Sequence, residues 1–427
     1  MKVLIVGGGG REHAIALKIK ENPEVTALYA APGNGGIAQI ATCLPFKATD
    51  VDGIVRWAAE NKVDFVIVAP DDPLCLGMVD AVAAQGILAF GPRKNAAIIE
   101  GSKVFSKNLM KKYGIPTAAY ETFDDYDAAV KYLQTADMPI VVKADGPALG
   151  KGVLICPDRE SAVEAVASMM KEAKFGASGA RVVIEEFLTG PEVSVLAFTD
   201  GKTVKPMVSS MDHKRALDHD EGLNTGGMGT IAPNPCYTPE LAQRCMDEIF
   251  LPTIAAMNAE GRTFTGCLYF GLMMTPKGPK VIEYNCRFGD PETQVVLPLL
   301  KSDLLTIMRA TVDGTLADTP VEFASGAACC VVLASGGYPV SYKSGYPISG
   351  LDEAGKTATV FHAGTKLVDG QIVTAGGRVL GVTATADTLE AAIDKAYQAA
   401  DKITFTDMHM RRDIGQRALA SRKESHS

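Results

Sequence analysis

The first hundred residues alternate short apolar runs with amphipathic ones, and this pattern restricts the fold more than any other feature of the chain. Strands are expected over residues 2–6, 27–31, 65–69 and 88–90, and helices near 12–20 and 51–61. Apolar strands separated by helices pair in parallel, because each crossover needs a helix-length connection. The expectation is a doubly wound parallel sheet that binds its ligand beyond the C-terminal ends of the strands. The first strand runs into Gly7-Gly-Gly-Gly-Arg-Glu-His13. Glycine amides opening a helix cradle a phosphate with little steric obstruction, so Gly8, Gly9 and Gly10 are candidate ligands. A dinucleotide fingerprint fits poorly. Its third glycine would fall at Glu12, and the second strand ends in Ala30-Ala31-Pro32 with no acid for a ribose diol. The turn Pro32-Gly-Asn-Gly-Gly36 adds Asn34 to the same candidate site.

At 427 residues the chain exceeds what one core supports, so several lobes must follow. Lys103, Lys107, Lys111 and Lys112 lie on a helical stretch and read as a solvated face. A strand over 139–143 ends at Lys143 and opens into a glycine-rich loop that reaches Lys151. Lys151 is followed by Gly rather than Ser or Thr, so the loop reads as a lid over phosphates and not as a Walker loop. A strand over 181–188 carries Glu185 and Glu186 near its end, with Glu192 just beyond. An adenine needs a backbone amide and carbonyl on an open strand edge, and its ribose needs a carboxylate; the run Glu186, Phe187, Leu188 followed by Glu192 supplies both. A plain hairpin explains these residues equally well.

A strand over 205–211 leads to Asp212-His-Lys-Arg215, and Asn224-Thr-Gly-Gly-Met-Gly229 follows. Lys214 supplies charge and the tract Thr225, Gly226, Gly227 supplies unobstructed amides, which together suit an anion or carboxylate. The spacing of His213 and His219 matches no zinc motif. In Val281-Ile-Glu-Tyr-Asn-Cys-Arg-Phe-Gly-Asp-Pro-Glu292, alternation places Glu283, Asn285 and Arg287 on one face of a strand. Carboxylate and amide oxygens suit Mg²⁺, which keeps waters and shares phosphate oxygens, and a guanidinium clamps an anionic oxygen. The last hundred residues read as a small α+β module in which His362 is structural.

The balance of 42 basic against 50 acidic side chains, net −8, with no basic run interleaved with aromatics, argues against a nucleic-acid surface. The opening residues are apolar only as far as Gly7, so neither a signal peptide nor a membrane span is expected and a cytoplasmic site follows. Nine scattered cysteines fit buried thiols better than a zinc site or disulfide scaffold. Unbroken apolar edges are not obvious, and a monomer is expected.

Gly7-Gly-Gly-Gly-Arg-Glu-His-Ala14, Pro32-Gly-Asn34, His213-Lys-Arg215, Asn224–Gly229, Glu283–Glu292 and His362-Ala-Gly-Thr365, in this order, are similar to the ATP-grasp carboxylate–amine ligases, and within them to the glycinamide ribonucleotide synthetase family. The likeness covers essentially the whole chain. It implies a multidomain α/β and α+β architecture: a pre-ATP-grasp lobe (1–101), a linker helix (102–117), a lid (118–190), a main ATP-grasp lobe (191–325) and a C-terminal cap (326–427). It implies ATP as co-substrate with Mg²⁺ or Mn²⁺, and glycine joined to 5-phosphoribosylamine through glycyl phosphate. Glu283 and Asn285 would be the metal ligands. Lys103, Lys143, Lys151, Glu185, Glu186, Phe187, Leu188 and Glu192 would hold ATP. Arg287 and Lys214 would act on the transferring group. Gly8, Gly9, Gly10, Asn34, Asp212, Thr225, Gly226, Gly227 and Asp290 would hold the other substrates, with Asp212 or Asp290 on the glycine ammonium. Many relatives carry a further acidic metal ligand on the preceding strand, where this chain has only Cys267-Leu-Tyr-Phe-Gly-Leu-Met-Met274.

Overall fold

A computed structural model of the chain describes residues 1–146, 152–172 and 174–424. Five parallel strands form the first sheet, in the order Thr42–Cys43, Ala27–Pro32, Lys2–Gly7, Phe65–Val68, Leu88–Phe90. Successive side chains of the central strand point to opposite faces. Val3 and Ile5 enter one apolar cluster, and Leu4 and Val6 enter another. Helix Gly10–Lys20 begins directly behind the glycine loop, where Gly9 N–H donates to Glu12 Oε2 at 2.8 Å. Glu12 thereby satisfies one of the free amides of the first turn.

Two four-stranded antiparallel sheets follow. The smaller runs Tyr120–Phe123, Val182–Glu186, Ile140–Ala144, Val153–Cys156, is covered by helices Tyr126–Leu133 and Arg159–Met170, and has an apolar cluster of its own. The other runs Val204–Pro206, Glu192–Thr199, Gly266–Thr275, Gly278–Asn285, and shares an apolar cluster with the first lobe, in which Val66 and Leu74 meet Val195 and Phe270. The last sheet orders Met211–Asp212, Gly229–Ala232, Ala327–Ser335, Arg378–Ala386 and Thr359–His362, with Met408–His409 also pairing to Ala327–Ser335.

Three local readings of the sequence need correction. The continuous strand expected over 205–211 is two pieces: Val204–Pro206 stays with the sheet of Glu192–Thr199, and Met211–Asp212 crosses to the last one. Pro206 lacks the N–H that would extend the ladder. Alternation holds Glu283 and Asn285 on one face as expected, but the strand ends at Asn285, so Arg287 lies beyond it; upstream a bulge pairs Val281 with Leu272 and Glu283 with Gly271, leaving Ile282 as the extra residue. Val281 thus joins Tyr284 and Cys286 in the core, whereas Glu283 and Asn285 face the cleft. Finally, the lysine-bearing face of helix Lys103–Tyr113 is not wholly solvated, since Lys107 is 2% exposed. All nine cysteines are unpaired, and six of them are buried.

Gly36 marks where the two ends of the chain meet. A Cβ there would lie 2.5 Å from His362 Cγ and 2.6 Å from His13 Cε1. Gly36→Ala is therefore expected to destabilise the fold by about 1–3 kcal/mol through overpacking, read as a lowered thermal midpoint; an unchanged midpoint would show that the contact is slack.

Candidate active site

The cleft is built around the end of Gly278–Asn285. Burial alone would raise the Glu283 carboxyl, but Lys214, Lys143, Lys103 and Arg287 outweigh it and hold the group below its ordinary value. One carboxylate is therefore faced by four cations from four different parts of the chain. Lys103 starts a helix capped by Ser102 and donates to Gly146 O at 3.0 Å; burial lowers its ammonium, opposed by Glu283. Lys143 ends its strand 2.9 Å from Glu185 Oε1 and donates to Ile282 O at 3.3 Å. Lys214 lies 3.5 Å from Glu192 Oε2, whose charge raises it well above the usual lysine range. Arg287 is anchored from behind, at 3.2 Å from Glu100 Oε1 and 4.0 Å from Asp71 Oδ1, and it donates to Asn285 Oδ1 at 3.3 Å.

Of the residues expected to hold a nucleotide, Glu185 is buried between Lys107 and Lys143, while Glu186 faces outward to Lys280 at 3.0 Å and the Phe187 side chain is 39% exposed. Glu186 N–H donates to Ala119 O, so the edge that follows, through Leu188 to Glu192, begins beyond the last ladder pairing. Lys151 lies outside the described residues.

The other expected ligands divide into braced and open groups. The Asn34 side chain is fully engaged: its Nδ2 donates to Gly8 O at 3.1 Å and His362 O at 2.8 Å, and its Oδ1 accepts from Gly36 and Ile37. It joins the glycine loop to the terminal lobe. The glycine tract is less open than its composition implies, for Gly226 N–H is donated to the Tyr338 hydroxyl and Gly227 N–H to Thr225 Oγ1. Thr225 Oγ1 itself donates to Lys214 O at 2.8 Å. Asp290 accepts from Arg11 N at 3.3 Å and Gln294 Nε2 at 2.8 Å and lies 3.6 Å from Arg378; burial would raise it, but Arg378 and Arg11 prevail and hold it low. Asp212 is the contrast. Its Oδ1 is buried without a hydrogen-bond partner beside Pro291 and Gly227, where a Cβ on Gly227 would come within 2.6 Å. Burial and then the neighbouring Glu292 push Asp212 well up, and burial pushes Glu292 up as well. Two carboxyls short of positive charge leave room for a small cation.

Sequence reasoning missed two residues here. Arg378 donates to Gly226 O and to Asp290 O, each at 2.8 Å, locking the glycine tract to the 285–292 turn. Lys107 pairs with Glu185 Oε2 at 3.3 Å. Arg378 gave no local signal, whereas Lys107 falls one helical turn after Lys103 on the same face.

Three buried histidines brace the fold. His213 Nε2 accepts from Gly415 N–H at 3.1 Å, and His13 Nδ1 accepts from His362 N–H at 2.8 Å. Burial holds His13 down at about 3, and His362 and His213 at about 4. Each takes a proton in the unfolded chain near its ordinary value before it does in the native one. Stability is complete above about pH 6.5 and falls with decreasing pH, by up to roughly 1.4 kcal/mol per pH unit for each histidine. Denaturant unfolding between about pH 7 and 5 should show a shallower fall for His213→Gln than for the wild type; equal slopes would exclude His213 from this linkage.

No group of three or more His, Cys, Asp or Glu side chains among the described residues could cage a metal. Glu283 and Asn285 offer two oxygens at one strand end, the donor set of a hard cation that keeps waters and shares ligand oxygens; their chemistry fits Mg²⁺ and not a closed protein cage. No helix among the described residues is long and apolar enough to cross a membrane.

Family models match the chain in three consecutive parts: the phosphoribosylglycinamide synthetase N domain over residues 1–100, its ATP-grasp (A) domain over 101–293 and its C domain over 328–417. The chain is 48% identical to a phosphoribosylamine–glycine ligase of Halalkalibacterium halodurans, covering 100% of this chain and 99% of that one. It is also 48% identical to the enzyme of that name from Agrobacterium fabrum, at 99% and 100% coverage. A crystal structure of the Thermotoga maritima phosphoribosylamine–glycine ligase superposes with a TM-score of 0.86 at 34% identity, over 97% of this chain and all of that one. The biotin carboxylase domain of a Hydrogenobacter thermophilus 2-oxoglutarate carboxylase, 18% identical with a TM-score of 0.72 over 96% and 91%, shares the fold. With three family domains matched in order and its length covered by these relatives, the chain belongs to the phosphoribosylglycinamide synthetase family.

Proposed function

We propose that this chain catalyses the ATP-dependent joining of glycine to 5-phosphoribosylamine, giving glycinamide ribonucleotide, ADP and phosphate in purine biosynthesis. The observation that carries the reading is the convergence of Lys103, Lys143, Lys214 and Arg287 on Glu283, an excess of positive charge matched to a polyphosphate. A carboxylate is a poor acyl donor. A glycine oxygen attacks the γ-phosphorus of ATP, the bond to the ADP oxygen breaks, and glycyl phosphate results; the amine nitrogen then attacks the acyl carbon, phosphate leaves, and the amine loses a proton.

Lys103 and Lys143 bind phosphates, while Arg287 and Lys214 balance charge on the transferring group. The edge from Glu186 through Phe187 to Leu188 takes adenine beside Glu185, and Glu192 takes the ribose. Glu283 and Asn285 hold Mg²⁺, with Mn²⁺ as a substitute, and the bound ion screens phosphate charge. Gly8, Gly9 and Gly10 line the place of the 5-phosphoribosylamine phosphate, the Gly9 amide being already held by Glu12 and Asn34 bracing their loop. Thr225, Gly226 and Gly227 shape the glycine end. Asp212 rather than Asp290 faces the glycine ammonium, because Asp290 is already partnered by Arg11, Gln294 and Arg378 whereas an Asp212 oxygen is not. Lys151, which lies outside the described residues, is a further phosphate ligand in this reading. We divide the chain as lobes 1–101, 118–190, 191–325 and 326–427 with a linker at 102–117, and place the enzyme in the cytoplasm as a monomer acting on small molecules and not on nucleic acid.

Phosphate release should require both glycine and the phosphoribosylamine, with formate and bicarbonate inactive in place of glycine; release with either control would point to a carboxylating or formylating relative. Glu283→Ala should cost more than about a hundredfold in kcat while the protein stays folded. Asp212→Asn should raise KM for glycine by on the order of tenfold and leave KM for ATP unchanged; a shift in both would move Asp212 out of the glycine pocket.

A further inference from the structure

Lys107 lies behind the cleft, on the helix that begins at Lys103. Its side chain is 3% exposed, which for an ammonium requires compensation on every side. Nζ reaches Glu185 Oε2 at 3.3 Å, donates to Thr117 Oγ1 at 2.6 Å and sits 5.6 Å above the Tyr120 ring. Two paths run on from it to the strand that carries Glu283. Thr117 Oγ1 donates to Val281 O at 2.7 Å. Glu185 Oε1 pairs with Lys143 at 2.9 Å, and Lys143 donates to Ile282 O at 3.3 Å. Both carbonyls at the bulge, which turns Val281 inward and Glu283 outward, therefore end in a single polar network centred on Lys107 and Glu185.

The charge balance of this network is unequal, with two ammonium groups sharing one carboxylate. If Glu185 had Lys143 alone, it would cancel the charge that a phosphate needs. We propose that Lys107 is a positioning residue for nucleotide binding: by holding Glu185 it leaves the charge of Lys143 available to polyphosphate, and through Thr117 it fixes the bulge that aims Glu283 and Asn285 into the cleft. This rests on the nucleotide site proposed above and adds a residue to it.

The protonation of Lys107 gives a handle that mere packing would not. Burial, opposed by Glu185, lowers its ammonium to about 8. The titratable groups facing it are Lys103 and Lys111 on its own helix, Tyr120 from Tyr120–Phe123, Lys143 from Ile140–Ala144, and Glu185 and Glu186 from Val182–Glu186, with Glu186 held by Lys280. The charged form favours the anion. Nucleotide affinity should therefore fall as pH rises through about 8, and binding should take up a proton.

The test is calorimetric titration of the full chain with Mg-ADP from about pH 7 to 9.5, in two buffers of different ionisation enthalpy, for wild type, Lys107→Met, Lys107→Gln and Lys143→Met. The expected result is a loss of roughly ten- to a hundredfold at pH 7 for both Lys107 variants, with proton uptake abolished and the pH dependence flattened. Affinity within about twofold of wild type for both, beside a weakened Lys143→Met, overturns the role of Lys107 alone. Unimpaired binding by Lys143→Met overturns the nucleotide-site reading on which it rests. Should neither Lys107 variant fold, the wild type decides: proton uptake near pH 8 supports the proposal, and pH-independent affinity with no uptake sinks it.

Discussion

Positive charge held at close quarters is the constraint on which this molecule is organised. Lys103, Lys143, Lys214 and Arg287 all act on Glu283 around one cleft. Like charges so placed repel, and besides Glu283 the structure answers with carboxylates paired to three of the four cations: Glu185 with Lys143, Glu192 with Lys214, Glu100 and Asp71 with Arg287. The front of the cleft stays electropositive, a preorganised field for an anion whose charge moves during reaction. The same requirement explains why the functional strand departs from regular alternation. A regular strand would put Val281 on the face of Glu283, and the bulge at Ile282 lets one short segment be apolar towards the core and polar towards the cleft.

The glycine-rich segments follow a related logic. Unrestrained glycine loops carry a large conformational entropy, which a ligand would have to remove on binding. Here the loops are ordered beforehand by side chains distant in sequence. Asn34 spans Gly8 and His362, and Arg378 spans Gly226 and Asp290, so the terminal lobe closes the site as well as covering it. The sheet of Tyr120–Phe123, Val182–Glu186, Ile140–Ala144 and Val153–Cys156 differs, having its own apolar cluster and making polar contacts to its neighbours such as Lys143 with Ile282 O. An element held in this way can shift relative to its neighbours at lower cost than one sharing their core.

What the sequence made readable and what it hid divide along the same line. The doubly wound sheet could be read because strand and helix periodicities are local, and Glu283, Asn285 and Arg287 stood out because three polar side chains in a strand are costly without a purpose. The bulge left only a weak trace, the consecutive apolar pair Val281-Ile282 between Lys280 and Glu283, and only pairing with Gly271 and Leu272 reveals the extra residue. Lys107 looked like one of four solvated lysines, because its burial is set by Glu185, Thr117 and Tyr120 arriving from other elements. Arg378 was invisible for the same reason, its partners being 88 and 152 residues away. Composition also misled at Thr225-Gly-Gly227, where glycine content signalled open amides that Tyr338 and Thr225 in fact occupy.

The two acids near the substrate end show how environment divides labour between similar groups. Asp290 and Asp212 are chemically the same, and both lie beside the glycine tract. Asp290 is surrounded by Arg11, Arg378 and Gln294 and is held ionised, so its charge is spent within the protein on fastening the turn to the first helix. Asp212 has Glu292 as its near neighbour and an oxygen without a hydrogen-bond donor, so the free protein is short of a cation there. If Asp212 faces the substrate as proposed above, an ammonium group would supply what the fold omits, and its binding would be favoured by relief of the carboxyl–carboxyl repulsion in addition to the new ion pair. An acid of the same size without an ammonium group would bring no such relief, so under that proposal the unmet charge at Asp212 would select an amino acid over other small carboxylates.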